Sequence, residues 1–147
     1  MKKFYICLTF DTDPDPDKGY IDRKDKNIIG WKGLRIGNKL IFKSIKKIEK
    51  KYQINIPTTW FVRVDDQIKY YHGSAEWLIT TFSNFWQKVI KNNGSVQWHV
   101  HLNSIKNKEW FRETLDSKIK KIIKKNLILF SKILKKPICI RIGEAFI

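Results

Sequence analysis

The feature that most constrains the fold is a regular alternation of short apolar runs with longer amphipathic segments. The apolar runs are rich in β-branched and aromatic side chains, which predicts buried strands. Between them, apolar side chains recur every three or four residues, which predicts helices. Because alternating strands and helices build a parallel sheet or a (β/α) barrel, we expect the α/β class. The four strand-like runs are KFYICLTF, IPTTWFVRV, SVQWHVHL and PICIRIG.

The helical periodicity predicts three helices. Ser74 is the expected N-cap of the second helix, and Asp116 or Ser117 that of the third. From Tyr20 to Asn38 the glycines and mixed charges give no clear period, so we expect a long irregular connection or a small hairpin around GWKGLRIGNK. The predicted helices cover approximately residues 41–52, 74–91 and 116–136.

The chain is strongly basic. It carries 30 Lys and Arg residues against 14 Asp and Glu residues, a formal net charge of +16. Such an excess is typical of proteins that bind nucleic acid, an anionic membrane or an acidic polysaccharide. Most of the basic residues are lysines at positions that suit a solvated surface, which is the interpretation we favour.

Cysteine content and hydropathy bear on the compartment. Cys7 and Cys139 each lie in an apolar, strand-like run, which predicts reduced core residues rather than a disulfide or a metal site. No segment approaches the ~20 apolar residues that span a bilayer. We therefore expect a soluble, cytoplasmic protein of one domain, residues 1–147, without a membrane span.

Polar side chains follow each of the predicted strands. In a parallel sheet the carboxyl ends of the strands meet at one edge, where active-site residues collect. Acidic, imidazole and guanidinium groups are therefore expected to lie close together. These residues are Asp11, Thr12 and Asp13 after the first strand, Asp65 and Asp66 after the second, His99 and His101 on the third, and Arg141 on the fourth.

His99 and His101 predict a metal site. Side chains two apart on a strand point to the same face, so both imidazoles can reach one ion. A carboxylate from Asp11 or Asp13 would complete a His, His, carboxylate set with an open position, which is typical of catalytic zinc. The other carboxylate is then free to act as a general base.

A simpler interpretation exists for the same residues. Histidines two apart also occur at half-exposed strand ends, and aspartates in a segment such as DTDPDPD often cap backbone amides of a turn. The two segments together favour the metal site over the turn. His72 has no such partner in the sequence and is expected at the surface or supporting the site.

Four segments resemble the NodB-like polysaccharide deacetylases, that is, carbohydrate esterase family four in the broad sense, and in particular the variant branch linked to surface-polysaccharide loci. The resemblance covers essentially the whole chain. It implies an irregular (β/α) barrel of which this chain is an N-terminal, partial portion, and an oligomer if the barrel is incomplete. The four segments, in the order of the family, are LTFDTD, IPTTWFVRVDDQI, NGSVQWHVHLN and ICIRIGEAF.

The resemblance also implies an activity and residue roles. Members use a divalent metal, usually zinc, to remove acetyl groups from N- or O-acetylated sugars or polysaccharides. Asp11 would be the catalytic base, held by Arg141, and His99 a metal ligand. Asp13 would be a further ligand, although the intervening Thr12 leaves the two aspartate roles open to exchange. Either His101 or the carbonyl oxygen of Asn103 would complete the set.

A second function class remains open: a non-catalytic remnant of a deacetylase, or a basic module that binds carbohydrate or nucleic acid. The net charge and the six tryptophans favour stacking and phosphate contacts, but no known nucleic-acid motif is present. Trp60, Trp98 and Trp110 lie near the predicted mouth of the sheet, where aromatic rings can stack on sugars. Core packing is favoured for Trp60, and the other two are left open.

Overall fold

The computed structural model describes residues 6–14 and 30–143. Within these ranges the chain forms six strands and five α-helices, and a short π-helical segment runs directly into the first helix. In chain order the elements are β1 (Leu8–Thr12), the π-helical segment (Gly33–Gly37), α1 (Asn38–Tyr52), β2 (Thr58–Arg63), α2 (Asp66–His72), α3 (Trp77–Thr81), α4 (Ser83–Lys91), β3 (Ser95–Val100), β4 (Asn103–Lys106), β5 (Glu109–Arg112), α5 (Asp116–Ile133) and β6 (Ile140–Ile142).

Four of the strands form one sheet in which all neighbouring strands are parallel. Their spatial order is β1-β2-β3-β6, which is also their order in the chain. When parallel strands are joined by right-handed crossovers that all advance in the same direction, the helices lie on one face of the sheet. The sheet then curls around its other face, as in a barrel. The predicted α/β class is therefore confirmed as a curled, parallel half-barrel sheet with helices. The deacetylase type of barrel stays a prediction.

The two faces of this sheet differ in chemistry because side chains alternate along each strand. The face toward the helices is apolar and includes Phe10, Trp60, Val62, Trp98 and Val100. The other, concave face is largely polar. The register places the following side chains on it: Thr9 and Asp11 of β1, Phe61 and Arg63 of β2, Gln97 and His99 of β3, and Arg141 of β6.

Aromatic packing holds the helices against the apolar face. The ring of Trp60 stacks on that of Phe10 with centroids 4.3 Å apart, and Trp98 lies 6.5 Å from Phe130 of α5. Trp60 is 3% exposed and Trp98 is 1% exposed. Both belong to the core, as expected for Trp60, and neither is available to a sugar.

The predicted helix over residues 74–91 is two helices, α3 and α4, separated at Phe82. The Thr80 hydroxyl donates to the carbonyl of Trp77 over 3.1 Å, and such back-bonding by threonine bends helices. Ser74 is not the N-cap that we expected, since α3 begins at Trp77 without a side-chain cap. The predicted side-chain cap at Asp116 or Ser117 is also wrong, because the cap position of α5 is Leu115.

Two elements at the carboxyl edge of the sheet were not predicted. Helix α2 follows β2 directly, and its N-cap Asp65 accepts a hydrogen bond from the Ile68 amide over 3.0 Å. Strands β4 and β5 form an antiparallel hairpin whose turn residues Asn107 and Lys108 have φ of 52° and 69°. Asparagine tolerates this left-handed conformation. Both elements border the site described below.

The structure also bears on the predicted hairpin, the two cysteines and the membrane-spanning potential of the helices. The hairpin expected around GWKGLRIGNK is wrong where it can be compared, because Gly33–Gly37 is π-helical; residues 20–29 lie outside the described ranges. Cys7 and Cys139 are free thiols, but both are exposed beside the outer strands of the sheet, so their predicted place in the core is wrong. Within the described part of the chain, no helix has the length and apolar character needed to cross a bilayer.

Candidate metal centre

The concave face brings Asp13, His99 and His101 together. Each offers one ligating atom, and these three atoms all lie within 4.8 Å of one another. Thr12 points to the other face and donates its hydroxyl to the Phe61 carbonyl over 2.9 Å. Asp11 and Asp13 are therefore directed to the same side without any irregularity in the chain, because they are two residues apart on an extended segment.

The separations within this cluster suit a tetrahedral ion. The Nε2 atom of His99 lies 3.5 Å from Oδ2 of Asp13, and the Nε2 atom of His101 lies 3.4 Å from Oδ1 of Asp13. Zinc–ligand bonds of about 2.1 Å at tetrahedral angles separate neighbouring ligand atoms by roughly 3.4 Å. The Asp13 carboxylate thus presents one oxygen to each imidazole at a spacing that suits ligands of one small divalent cation.

The surroundings of His99 independently point to a ligand. His99 is only 2% exposed, yet neither ring nitrogen forms a hydrogen bond within the described residues. A buried polar group without a partner is costly, so such groups in native proteins usually have a function or a bound partner. The Nδ1 atom faces Oδ1 of Asp11 at 3.8 Å. A carboxylate on this side is the arrangement that orients a metal-binding imidazole.

Asp11 is held by Arg141 from the far strand of the sheet. The guanidinium donates from Nη1 to Oδ1 of Asp11 and from Nη2 to the hydroxyl of Thr9, each over 2.9 Å. The central carbon of this guanidinium lies 4.4 Å from the centre of the Phe61 ring, so the ring packs against the guanidinium in a cation–π contact. Asp11 and Arg141 are each 36% exposed, so water and a ligand can reach this pair.

A buried arginine supports the other aspartate. Arg63 is 1% exposed and donates to Oδ2 of Asp65 over 2.7 Å and to Oε1 of Gln67 over 2.6 Å. It also reaches Oδ1 of Asp13 at 3.4 Å. Burial raises the pKa of Asp13, but the close imidazoles of His101 and His99 and the charge of Arg63 outweigh it. The pKa of Asp13 is therefore held well below its usual range, and this carboxylate is ionised at neutral pH.

Sequence reasoning missed Arg63 and Gly143 as parts of the site. A Cβ atom at Gly143 would lie 2.3 Å from Nε2 of His101, so only glycine leaves room for this imidazole. An arginine inside the apolar run TWFVR was a signal that could have identified Arg63, because a cation on a buried strand needs acidic partners. The sequence held no comparable signal for Gly143.

The other predicted residues lie elsewhere. Asn103 begins β4 and lines a separate cleft beside α2 and α5. Asp66 forms a surface ion pair with Lys125. His72 stacks on Trp77 with ring centroids 3.9 Å apart and accepts a hydrogen bond from Trp31, outside the cluster. Trp110 is only partly buried and lines the same cleft as Asn103.

No protein-family model, curated protein or solved structure matches the chain. Fold and site therefore define a class only. The chain is a parallel α/β protein that carries an Asp–His–His group able to hold a metal ion on the concave face of its sheet.

Proposed function

We propose that this protein is a metal-dependent hydrolase that removes acetyl groups from an N- or O-acetylated sugar or polysaccharide, related to the NodB-like polysaccharide deacetylases. The observation that carries the proposal is the position of Asp11. It lies beside the Asp13–His99–His101 group without belonging to it, and a guanidinium fixes its orientation. A metal site with a separate, oriented carboxylate is one arrangement that catalyses acetyl hydrolysis.

Asp13, His99 and His101 are the proposed ligands, and zinc is the proposed ion, since two imidazoles and one carboxylate suit it. A bound zinc ion polarises a carbonyl group and lowers the pKa of water. Asp11 accepts the proton of the attacking water in this proposal, and that proton is then available to the leaving amine or hydroxyl. Arg141 holds the Asp11 carboxylate in its position facing His99.

Acetate release tests the proposal. The zinc-loaded protein is incubated with chitotetraose, which is N-acetylated, and with acetylated xylan, which is O-acetylated, and free acetate is measured. We expect release from at least one of them. Asp11→Asn should lower the rate by at least about 100-fold, as is typical for a lost general base. Asp116→Asn, which removes an aspartate at the start of α5, should keep the rate.

Two results would overturn the proposal. One is the absence of acetate release from both substrates by protein that has been shown to contain zinc. The other is an Asp11→Asn variant that releases acetate as fast as the unmodified protein. A remnant that binds zinc without turnover would give the first result.

A further inference from the structure

A cleft opens beside the candidate metal centre, between α2, the β4–β5 hairpin and α5. We call it the lysine cleft, and define it by Lys69, Tyr70, Lys106, Trp110 and Lys118; its volume is about 590 Å³. This is within the range of ~300–1,000 Å³ that small-molecule sites occupy. We propose that the lysine cleft binds a sugar residue that bears a carboxylate, as part of the same glycan whose acetyl group reaches the metal centre.

The cleft lies at the same edge of the sheet as the metal centre. Helix α2 begins directly after β2, and the hairpin begins two residues after His101. Asn103, the first residue of the hairpin, lines the cleft. In this proposal, one chain of linked sugars extends from the centre into the cleft. To this extent the inference rests on the proposed deacetylase function.

The walls of the cleft suit a sugar ring. The rings of Tyr70 and Trp110 meet edge to face with centroids 5.7 Å apart, and Tyr70 is 50% exposed. Trp110 itself is partly buried and lines the cleft. An aromatic wall favours a ligand that has apolar ring faces, as a sugar does.

The charge of the cleft selects an anion. Neither Lys69 nor Lys106 forms an ion pair with a carboxylate in the part of the chain that the structure describes. Lys118 lies 3.6 Å from Glu113, and the one acidic lining residue, Asp66, is paired with Lys125. Two lysines without an acidic partner among the described residues therefore line a partly apolar cleft, which favours an anionic ligand.

A glycan is favoured over nucleic acid as the ligand. The lysine cleft is a depression of limited volume with one aromatic pair, whereas single-stranded nucleic acid needs a groove that follows several phosphates. Its position at the same edge of the sheet as the metal centre also suits a glycan on which the proposed deacetylase acts.

Binding of two matched oligosaccharides tests the inference. A hyaluronan tetrasaccharide, which alternates glucuronate with N-acetylglucosamine, is compared with neutral chitotetraose by calorimetry. All proteins carry Asp11→Asn and zinc, so that neither ligand is consumed. We expect the acidic tetrasaccharide to bind at least about tenfold more tightly, since two charge contacts add roughly that factor.

Matched variants separate the cleft from the general basic charge. The double substitution Lys69→Ala and Lys106→Ala should abolish the preference for the acidic ligand. Trp110→Ala should weaken the binding of both ligands. Lys47→Ala with Lys50→Ala removes the same charge from the exposed face of α1 and should keep the preference.

Three outcomes would overturn the inference. The first is equal affinity for the two oligosaccharides. The second is a loss of the acidic preference in the α1 variant that equals the loss in the cleft variant. The third is an oligothymidylate that binds more tightly than the acidic tetrasaccharide and whose binding is weakened in the cleft variant. The proposed function is tested by acetate release alone. A protein that releases acetate without an acidic preference disproves only the cleft. One that binds the acidic ligand in the cleft without releasing acetate disproves the deacetylase, and with it the shared glycan, but leaves the cleft as a site for a carboxylated sugar.

Discussion

Arg141 on β6 donates a hydrogen bond to Asp11 on β1 over 2.9 Å, although two strands lie between them. In a flat sheet, three strand spacings would separate these backbones by about 14 Å. The two side chains meet because the sheet curls and directs them toward each other across its concave face. The curvature of the sheet therefore creates the proposed catalytic pair.

Replacing Arg141 by lysine should impair turnover and leave metal binding intact. A lysine has a single nitrogen in place of the planar guanidinium whose two nitrogens serve Asp11 and Thr9 separately, so the orientation of Asp11 is no longer fixed. We expect kcat for acetate release to fall by about 10- to 100-fold, the usual effect of a misplaced catalytic group. Zinc affinity should stay within about twofold, because Arg141 does not belong to the ligand group.

Arg35→Lys is the matched control for this prediction. Arg35 lies in the π-helical segment, away from the sheet, and its substitution should leave kcat unchanged. A large loss of zinc from the Arg141→Lys protein would contradict the assignment, since it would make Arg141 a support of the metal rather than of Asp11.

Replacing His99 by alanine should remove the metal. Loss of groups that merely support a ligand usually costs 10- to 100-fold in affinity, so the loss of a ligand should exceed about 100-fold. Competition with a chromophoric chelator measures the zinc dissociation constant. The control is His72→Gln, because His72 is a histidine outside the cluster and glutamine can still accept the hydrogen bond of Trp31. Unchanged zinc affinity in the His99→Ala protein would show that the cluster holds no metal.

Replacing Gly143 by alanine should weaken zinc binding although Gly143 has no ligating atom. The added Cβ would lie 2.3 Å from Nε2 of His101, and His101 is only 7% exposed, so its ring cannot move aside freely. We expect at least about a tenfold loss of zinc affinity by the same chelator competition.

Gly37→Ala controls for the loss of a glycine as such. No atom lies within 4 Å of a Cβ at that position, and its backbone φ of −59° suits alanine. Zinc affinity should be unchanged in this variant. If Gly143→Ala binds zinc normally, His101 is not held where the proposed ligand set requires it.

Replacing Asp65 by asparagine should destabilise the protein in a pH-dependent way. Burial raises the pKa of Asp65, but the charge and hydrogen bonds of Arg63 outweigh it, so the pKa lies below its ordinary value of about 3.9. A depressed carboxyl pKa contributes stability above the unfolded-state pKa, and this contribution is lost as pH falls toward the folded-state pKa. We expect a loss of about 3–5 kcal/mol at pH 7, the usual cost of leaving a buried charge unpaired.

Urea unfolding at pH 7, 5 and 3.5 measures this difference in the free energy of unfolding. The difference between the two proteins should be constant between the first two values and smaller at the third. Asp66→Asn, which breaks only a surface pair with Lys125, should cost less than about 1 kcal/mol. A difference that does not shrink at pH 3.5 would show that the effect of Asp65 is not electrostatic.

The sequence by itself determined the parallel α/β fold and most of the candidate site. Strand-like runs and their polar ends follow local rules, because the alternation of side chains fixes which residues share a face. This is why the spacing alone pairs His99 with His101 and places Asp11 and Asp13 at the same edge of the sheet. The break at Phe82 and the hairpin after Leu102 were harder to predict from the sequence. The break depends on one hydroxyl contact and the hairpin on one turn.

Only the tertiary structure decided which of these residues meet. The sequence left the two aspartate roles open and could not choose between His101 and Asn103. The structure places Asp13 with both histidines, directs Asp11 to Arg141, and turns Asn103 into the lysine cleft. These contacts depend on the curl of the sheet and on the close approach of Gly143 to His101. Both arise from packing between distant segments, which periodicity within a single segment does not encode.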